Sequence, residues 1–291
     1  MEAFRAYQLA IWIVFGLGCI FLVFPAFFVN EKKYCYGTPT TDNLMGNLLP
    51  VLQNKNFFLY LVSDFTYFVS LTTMGTGALY FVTVLLGLPE SYGTIMIVIM
   101  VGLSVLFYPL VNWLGARVSK KILVLSALLF LSFIFLYVFY LGESPIDNRT
   151  ESYLLSAVMA LPLAFLGILP PVILAEITQY ESIRTGQNRE ATYFAIRSLF
   201  IQFGQTLGLA LFTILIGLDA DKGTGKWLSG MFPNIPFEEL GIRLTGIIGF
   251  SLCLLAGLIF LFFRYNKMAA KLQEWEVPSE PDLSSAFISK D

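Results

Sequence analysis

Asp64, Glu176 and Arg197 are charged side chains that lie inside long apolar runs of this sequence. A charge surrounded by apolar matter is costly, so each must pair, reach water or serve a ligand. Asp64 falls about 10 Å into a helix that the pattern starts at Phe57, shallow enough to read as an interfacial charge, with a substrate or proton role as the alternative. Glu176 follows the Pro170-Pro171 pair, whose missing backbone donors disturb a helix and often mark a cavity wall. It reads either as a working carboxylate or as a latch paired with Arg184 or Arg117. Arg197 lies about 10 Å from the near end of its helix, where its stem can snorkel; the alternatives are a pair with Glu176 or a fork around a ligand carboxylate. Next to it, Ser198, Gln202 and Gln205 recur at i, i+4 and i+7, a polar stripe able to hydrogen-bond hydroxyls or a neighbouring helix. Gly204 and Gly208 form a face beside the stripe suited to close helix contact. These groups hold and orient; they break no bonds. The sequence has no His, which removes Ser-His-Asp chemistry, His-ligated haem and mixed zinc sites. Cys19, Cys35 and Cys253 have no metal or disulfide spacing. Neither an enzyme nor a bound cofactor is expected.

The elements that carry these residues follow from composition. Hydrophobic residues make up 57% of the 291 and charged ones 13%, against roughly 25% charged in ordinary globular chains. Mean hydropathy is +0.74. A chain this apolar uses lipid as its solvent. The net charge of −2 offers no basic field to nucleic acid. Crossing a bilayer core takes about 20 apolar residues, and seven stretches qualify: Tyr7–Val29, Phe57–Leu86, Tyr92–Leu114, Ile122–Leu141, Tyr153–Ile177, Ala191–Leu218 and Ile242–Phe263. The expected fold is an all-α integral membrane protein with seven transmembrane helices. The first stretch ends in Asn30-Glu31-Lys32-Lys33, a stop-transfer flank rather than a cleaved leader.

Basic residues set the orientation. With the amino terminus outside, the cytoplasmic segments hold Lys32, Lys33, Lys55, Arg117, Lys120, Lys121, Arg184, Arg189, Arg264, Lys267, Lys271 and Lys290, and the outer ones only Arg5, Arg149, Lys222, Lys226 and Arg243. This predicts a multi-pass protein of the cell (inner) membrane with a cytoplasmic carboxyl terminus. In the polar segment 42–54, Leu44, Leu48, Val51 and Leu52 recur on one side, which predicts a short helix lying on the cytoplasmic surface. Residues 267–291, with Pro278 and Pro281, read as a disordered tail. Asn148-Arg149-Thr150 fits a glycosylation acceptor on an outer loop.

The run Leu174-Ala175-Glu176-Ile177-Thr178-Gln179-Tyr180-Glu181, continued by Arg184-Thr185-Gly186-Gln187-Asn188-Arg189-Glu190, resembles the segment joining the tenth and eleventh helices of the glycoside–pentoside–hexuronide:cation symporters, the melibiose-carrier-like branch of the major facilitator superfamily. Ala175, Tyr180, Thr185, Gly186 and Glu190 match that pattern, Glu176 stands for its first Asp and Arg184 for its Lys; Gln179 and Ala191 depart from it. Asn54-Lys55-Asn56-Phe57 and Gly77-Ala78-Leu79-Tyr80-Phe81 resemble the two ends of the family's seventh helix, and Gly115-Ala116-Arg117-Val118-Ser119-Lys120-Lys121 its basic loop after the eighth.

The resemblance implies a sequence equivalent to helices six to twelve of a twelve-helix carrier. Residues 1–30 would be the sixth helix, 31–56 the central cytoplasmic loop with its surface helix, 57–266 the six-helix carboxyl-terminal bundle and 267–291 the tail. The amino-terminal half of the carrier would then be a missing partner, and the chain a carboxyl-terminal fragment or split half. The implied activity is secondary active transport of a sugar or glycoside, with Arg197, Ser198, Gln202 and Gln205 binding substrate and Glu176, Arg184, Arg189, Glu190 and Arg117 forming a cytoplasmic latch. Gln202 occupies the position of a membrane-embedded Lys in melibiose-type carriers, so coupling to sodium or protons stays an open expectation. Two other classes compete. A retinal receptor is disfavoured because no stretch contains a Lys for the Schiff base, and a non-transporting assembly or regulatory subunit derived from a carrier is the alternative.

Overall fold

The computed structural model describes residues 2–28, 44–217, 230, 231, 233 and 235–276, and every regular element among them is helical. The chain divides into two units, residues 1–42 and 43–291. The first contains α1 (Glu2–Phe28), a helix of 27 residues whose apolar stretch is Ile11–Phe21. Its Trp12 and Phe21 are exposed, as suits a helix solvated by lipid. The expected stop-transfer flank at 30–33 lies outside the described residues.

The second unit begins with α2 (Leu44–Gln53) and α3 (Lys55–Tyr80), the latter ending in one wide turn, Phe81–Leu85. Asn54 separates them because its side chain caps the new helix, accepting from the backbone N–H of Asn56 at 3.1 Å and of Phe57 at 3.3 Å. There follow α4 (Ser91–Arg117), α5 (Lys120–Val138), α6 (Asn148–Thr185), α7 (Glu190–Ile216), α8 (Phe237–Leu261) and α9 (Tyr265–Glu276). Six of these, α3 to α8, are long and apolar enough to cross a membrane. With α1 they answer to the seven apolar stretches of the sequence, with ends within about five residues except at α6, which runs eight residues past Ile177.

Two expectations need correction. Pro170-Pro171 reads in the sequence as a local disturbance, yet α6 stays helical for 38 residues, from the Asp147 cap to Gly186, whose φ of 71° stops it. Packing from α3 holds the proline stretch, and the Tyr60 hydroxyl donates to the Pro170 carbonyl at 2.9 Å. Residues 267–276, placed in a disordered tail by composition, belong to α9. Its Tyr265, Met268 and Leu272 recur on one face and are buried against the bundle, while Lys267 and Lys271 point away. Pro278 and Pro281 lie outside the described residues. α2 also differs in detail: Val51 is buried against the bundle, whereas Leu52 is exposed.

α3, α8, α5 and α6 pack in that order as the centre, α7 flanks α3, and α4 flanks α6. The core between them includes Leu61, Leu128, Leu131, Phe135, Ile173 and Phe260. Lipid tails are as apolar as these side chains, so burial alone does not drive association; close packing and interhelical hydrogen bonds must contribute. Ser70 donates to the Gly249 carbonyl at 2.8 Å, Ser63 to Ala256 at 2.8 Å and Ser132 to Phe250 at 3.1 Å, fixing α8 between α3 and α5. The starts of α3, α5 and α7 and the ends of α4, α6 and α8 share one end of the unit, here the α9 end. Asn54 to Tyr193 and Ser119 to Asn266 are cross-links there.

Candidate functional site

α7 carries the stripe, and the way it seats on α3 decides which side the stripe faces. A Cβ added at Gly208 would fall 2.6 Å from the Val69 carbonyl and 3.2 Å from the Thr73 nitrogen; one at Gly204 would fall 3.1 Å from the Phe65 carbonyl. Only glycine permits that approach. Thr73 adds a hydrogen bond to the Gly208 carbonyl at 3.2 Å. With this seam fixed, the 100° step of a helix places Ser198, Gln202 and Gln205 on one flank of α7 and Phe203 and Leu207 on the other. Ser198, Gln202 and Gln205 are all exposed. A row of amides and a hydroxyl thus lies uncovered along a membrane-length helix.

Below the stripe, Arg197 turns inward. Its Nε donates to Asp64 Oδ2 at 2.9 Å, and only 14% and 5% of the two side chains are exposed. Asp64 is therefore a buried ion-pair partner rather than an interfacial charge, and Arg197 neither snorkels nor meets Glu176. On the other side, Asp64 lines with Tyr60, Ser63 and Tyr67 a cavity of about 10 Å³, room for one water at most.

At the α9 end the charges pair differently from the expected latch. Glu176 binds Lys120, joining α6 to the start of α5; neither Arg184 nor Arg117 reaches it. Arg184 faces Glu181 one turn back at 3.5 Å. Arg117 lies over the Trp113 ring at 4.2 Å. Arg189 precedes α7 with its Nε buried and no partner among the described residues, and Glu190 is exposed. The latch residues are thus dispersed, apart from Glu176. Burial first, and then the Glu176 carboxylate, push the nearby Tyr265 phenol above its ordinary range. Lys120 was legible in the basic loop of the sequence, but i, i+3 and i, i+4 reasoning within one helix could not assign it to Glu176. Asn148 is also spoken for: its Nδ2 donates to the Leu86 carbonyl at 2.8 Å, so the triplet does not offer a free acceptor amide.

The family described as MFS/sugar transport protein matches the chain over residues 2–267. The chain belongs to that family. No curated protein and no solved structure gives a significant match. The MFS/sugar transport proteins are membrane transporters and not enzymes, which agrees with six membrane-length helices. Within this MFS chain the described residues hold no group of His, Cys, Asp and Glu able to bind a metal.

Proposed function

We propose that residues 57–266 act as the carboxyl-terminal bundle of a secondary carrier for a neutral sugar or glycoside, opposite an amino-terminal bundle of the same family. The observation that carries the reading is the uncovered flank of Ser198, Gln202 and Gln205 on α7, held outward by the glycine seam with α3. In lipid such a flank would leave amide groups unsatisfied; facing a water-filled path between two bundles, it can exchange water for sugar hydroxyls. Each amide offers two donors and an acceptor, which suits the mixed donor and acceptor character of a hydroxyl. Arg197 supports a neutral substrate, since its charge is already compensated by Asp64. A hexuronide would find no free guanidinium there.

Coupling to a proton or sodium ion fits secondary transport, with the coupling carboxylates supplied by the facing bundle because the stripe itself is uncharged. Glu176 with Lys120 takes the latch role at the α9 end, which the distribution of Lys and Arg makes cytoplasmic. In this orientation α1 starts outside. The test is uptake of labelled neutral hexosides by proteoliposomes. Saturable uptake is expected when the chain is joined with the first five helices of a family member, and not from the chain alone. Saturable uptake by the chain alone would contradict the half-carrier reading.

A further inference from the structure

At the α9 end, where α8 passes into α9, an open cleft of about 260 Å³ is lined by Lys121, Leu261, Phe262, Arg264 and Lys267. Its cations are of two kinds. Lys121 is fixed: its Nζ donates to the Leu261 carbonyl at 2.7 Å, at the end of α8, and to the Phe263 carbonyl at 2.6 Å, just past it. An ammonium has three donors, so one N–H of Lys121 is left for a ligand. Arg264 and Lys267 are exposed and have no acidic partner among the described residues. Glu176 is bound to Lys120, and Glu274 sits two turns along α9 from Lys267.

The cleft also has an apolar wall turned outward. Phe262 is 73% exposed and Leu261 52% exposed, on the last turn of a membrane-length helix. At the same end of the bundle, on α4, Trp113 is exposed beneath the Arg117 guanidinium, the pairing of ring and cation found where a helix leaves the hydrocarbon. Cations and exposed aromatic and aliphatic groups lining one cleft match one kind of ligand in both halves: a phosphate diester with acyl chains. A soluble phosphate would use the cations and leave Phe262 and Leu261 without purpose.

We propose that this cleft binds one anionic phospholipid, its phosphate held by Lys121, Arg264 and Lys267 and its first methylenes lying on Leu261 and Phe262. Because α9 is docked through Tyr265, Met268 and Leu272, the lipid would also brace the junction of α8 and α9. Anionic lipids enrich the cytoplasmic leaflet, the side that the basic residues assign to this end.

The experiment uses the full chain in detergent micelles and measures binding of fluorescent phosphatidylglycerol, with phosphatidylcholine, inorganic phosphate and glycerol 3-phosphate as competitors. Phosphatidylglycerol is expected to bind at least tenfold more tightly than phosphatidylcholine, and the exposed double variant Arg264→Gln/Lys267→Gln to weaken it by about tenfold. Phe262→Gln should weaken lipid binding and leave any phosphate competition unchanged. Lys271→Gln, on the same helix but outside the cleft, should change nothing. Equal affinity for the two lipids would overturn the proposal. So would full competition by phosphate with no effect of Phe262→Gln, which denotes a soluble-anion site, or an equal loss in Lys271→Gln, which denotes diffuse surface charge.

Discussion

Asp64 and Arg197 stand 133 residues apart in the chain and 2.9 Å apart across the α3–α7 contact. Each charge is tolerated in the membrane because the other is there, and the pair forms beside the glycine seam that brings the two helices together. Removing one partner leaves a buried charge without compensation, a loss of about 3–5 kcal/mol. Asp64→Ala should therefore lower the thermal unfolding temperature of the detergent-solubilised chain sharply. Asp64→Leu combined with Arg197→Met, which removes both charges, should recover most of that loss. The Lys120–Glu176 pair is more exposed, so Glu176→Ala should cost about 1 kcal/mol or less. Equal destabilisation by Asp64→Ala and Glu176→Ala would show that burial does not set the ranking.

The seam itself predicts a steep steric response. Gly208→Val places carbon within contact of the Val69 carbonyl and the Thr72 side chain, whose distances to a Cβ are 2.6 and 2.8 Å. The variant should lose monodisperse protein in size-exclusion chromatography. Gly102→Ala and Gly167→Ala meet nothing within 4 Å, and each should be neutral or stabilise by up to about 1 kcal/mol through helix propensity. If Gly208→Val behaves like these two, α7 does not seat on α3 through its glycines.

Gln202→Ala separates binding from folding. The side chain is exposed in the bundle, so unfolding temperature should not move. Loss of one hydrogen bond to a sugar hydroxyl is worth about 0.5–1.5 kcal/mol, and the apparent affinity of the completed carrier for a neutral hexoside should fall about two- to tenfold. Hexuronides should not compete better than neutral hexosides in either protein, given the compensated Arg197. Unchanged affinity would take Gln202 out of the substrate path.

Much of this architecture is legible in residue types. Apolar runs of membrane length locate α3 to α8 because in lipid the backbone must be satisfied within each helix, leaving few alternatives. The Gly204–Gly208 face reads as a contact surface because only small residues let helices approach. Pairings between helices are less legible. Asp64 reads as interfacial from its distance along the helix alone; what sequence distance hides is that α7 returns beside α3 and brings Arg197 within 2.9 Å of it. Glu176 is similar, since its partner Lys120 comes from another helix while Arg184, close in sequence, faces Glu181. α9 was missed because a short helix with low apolar content looks like a tail until its Met268 and Leu272 are seen against the bundle.

The most direct test of the uncovered stripe is thiol labelling at Gln202→Cys in the completed carrier, with Cys19, Cys35 and Cys253 replaced and Phe203→Cys as the adjacent comparison. A membrane-impermeant maleimide is expected to label position 202 and not 203, and a transported neutral hexoside to slow the labelling at 202. Labelling of neither position, or equal labelling of both with no effect of sugar, would contradict a sugar path along this flank of α7.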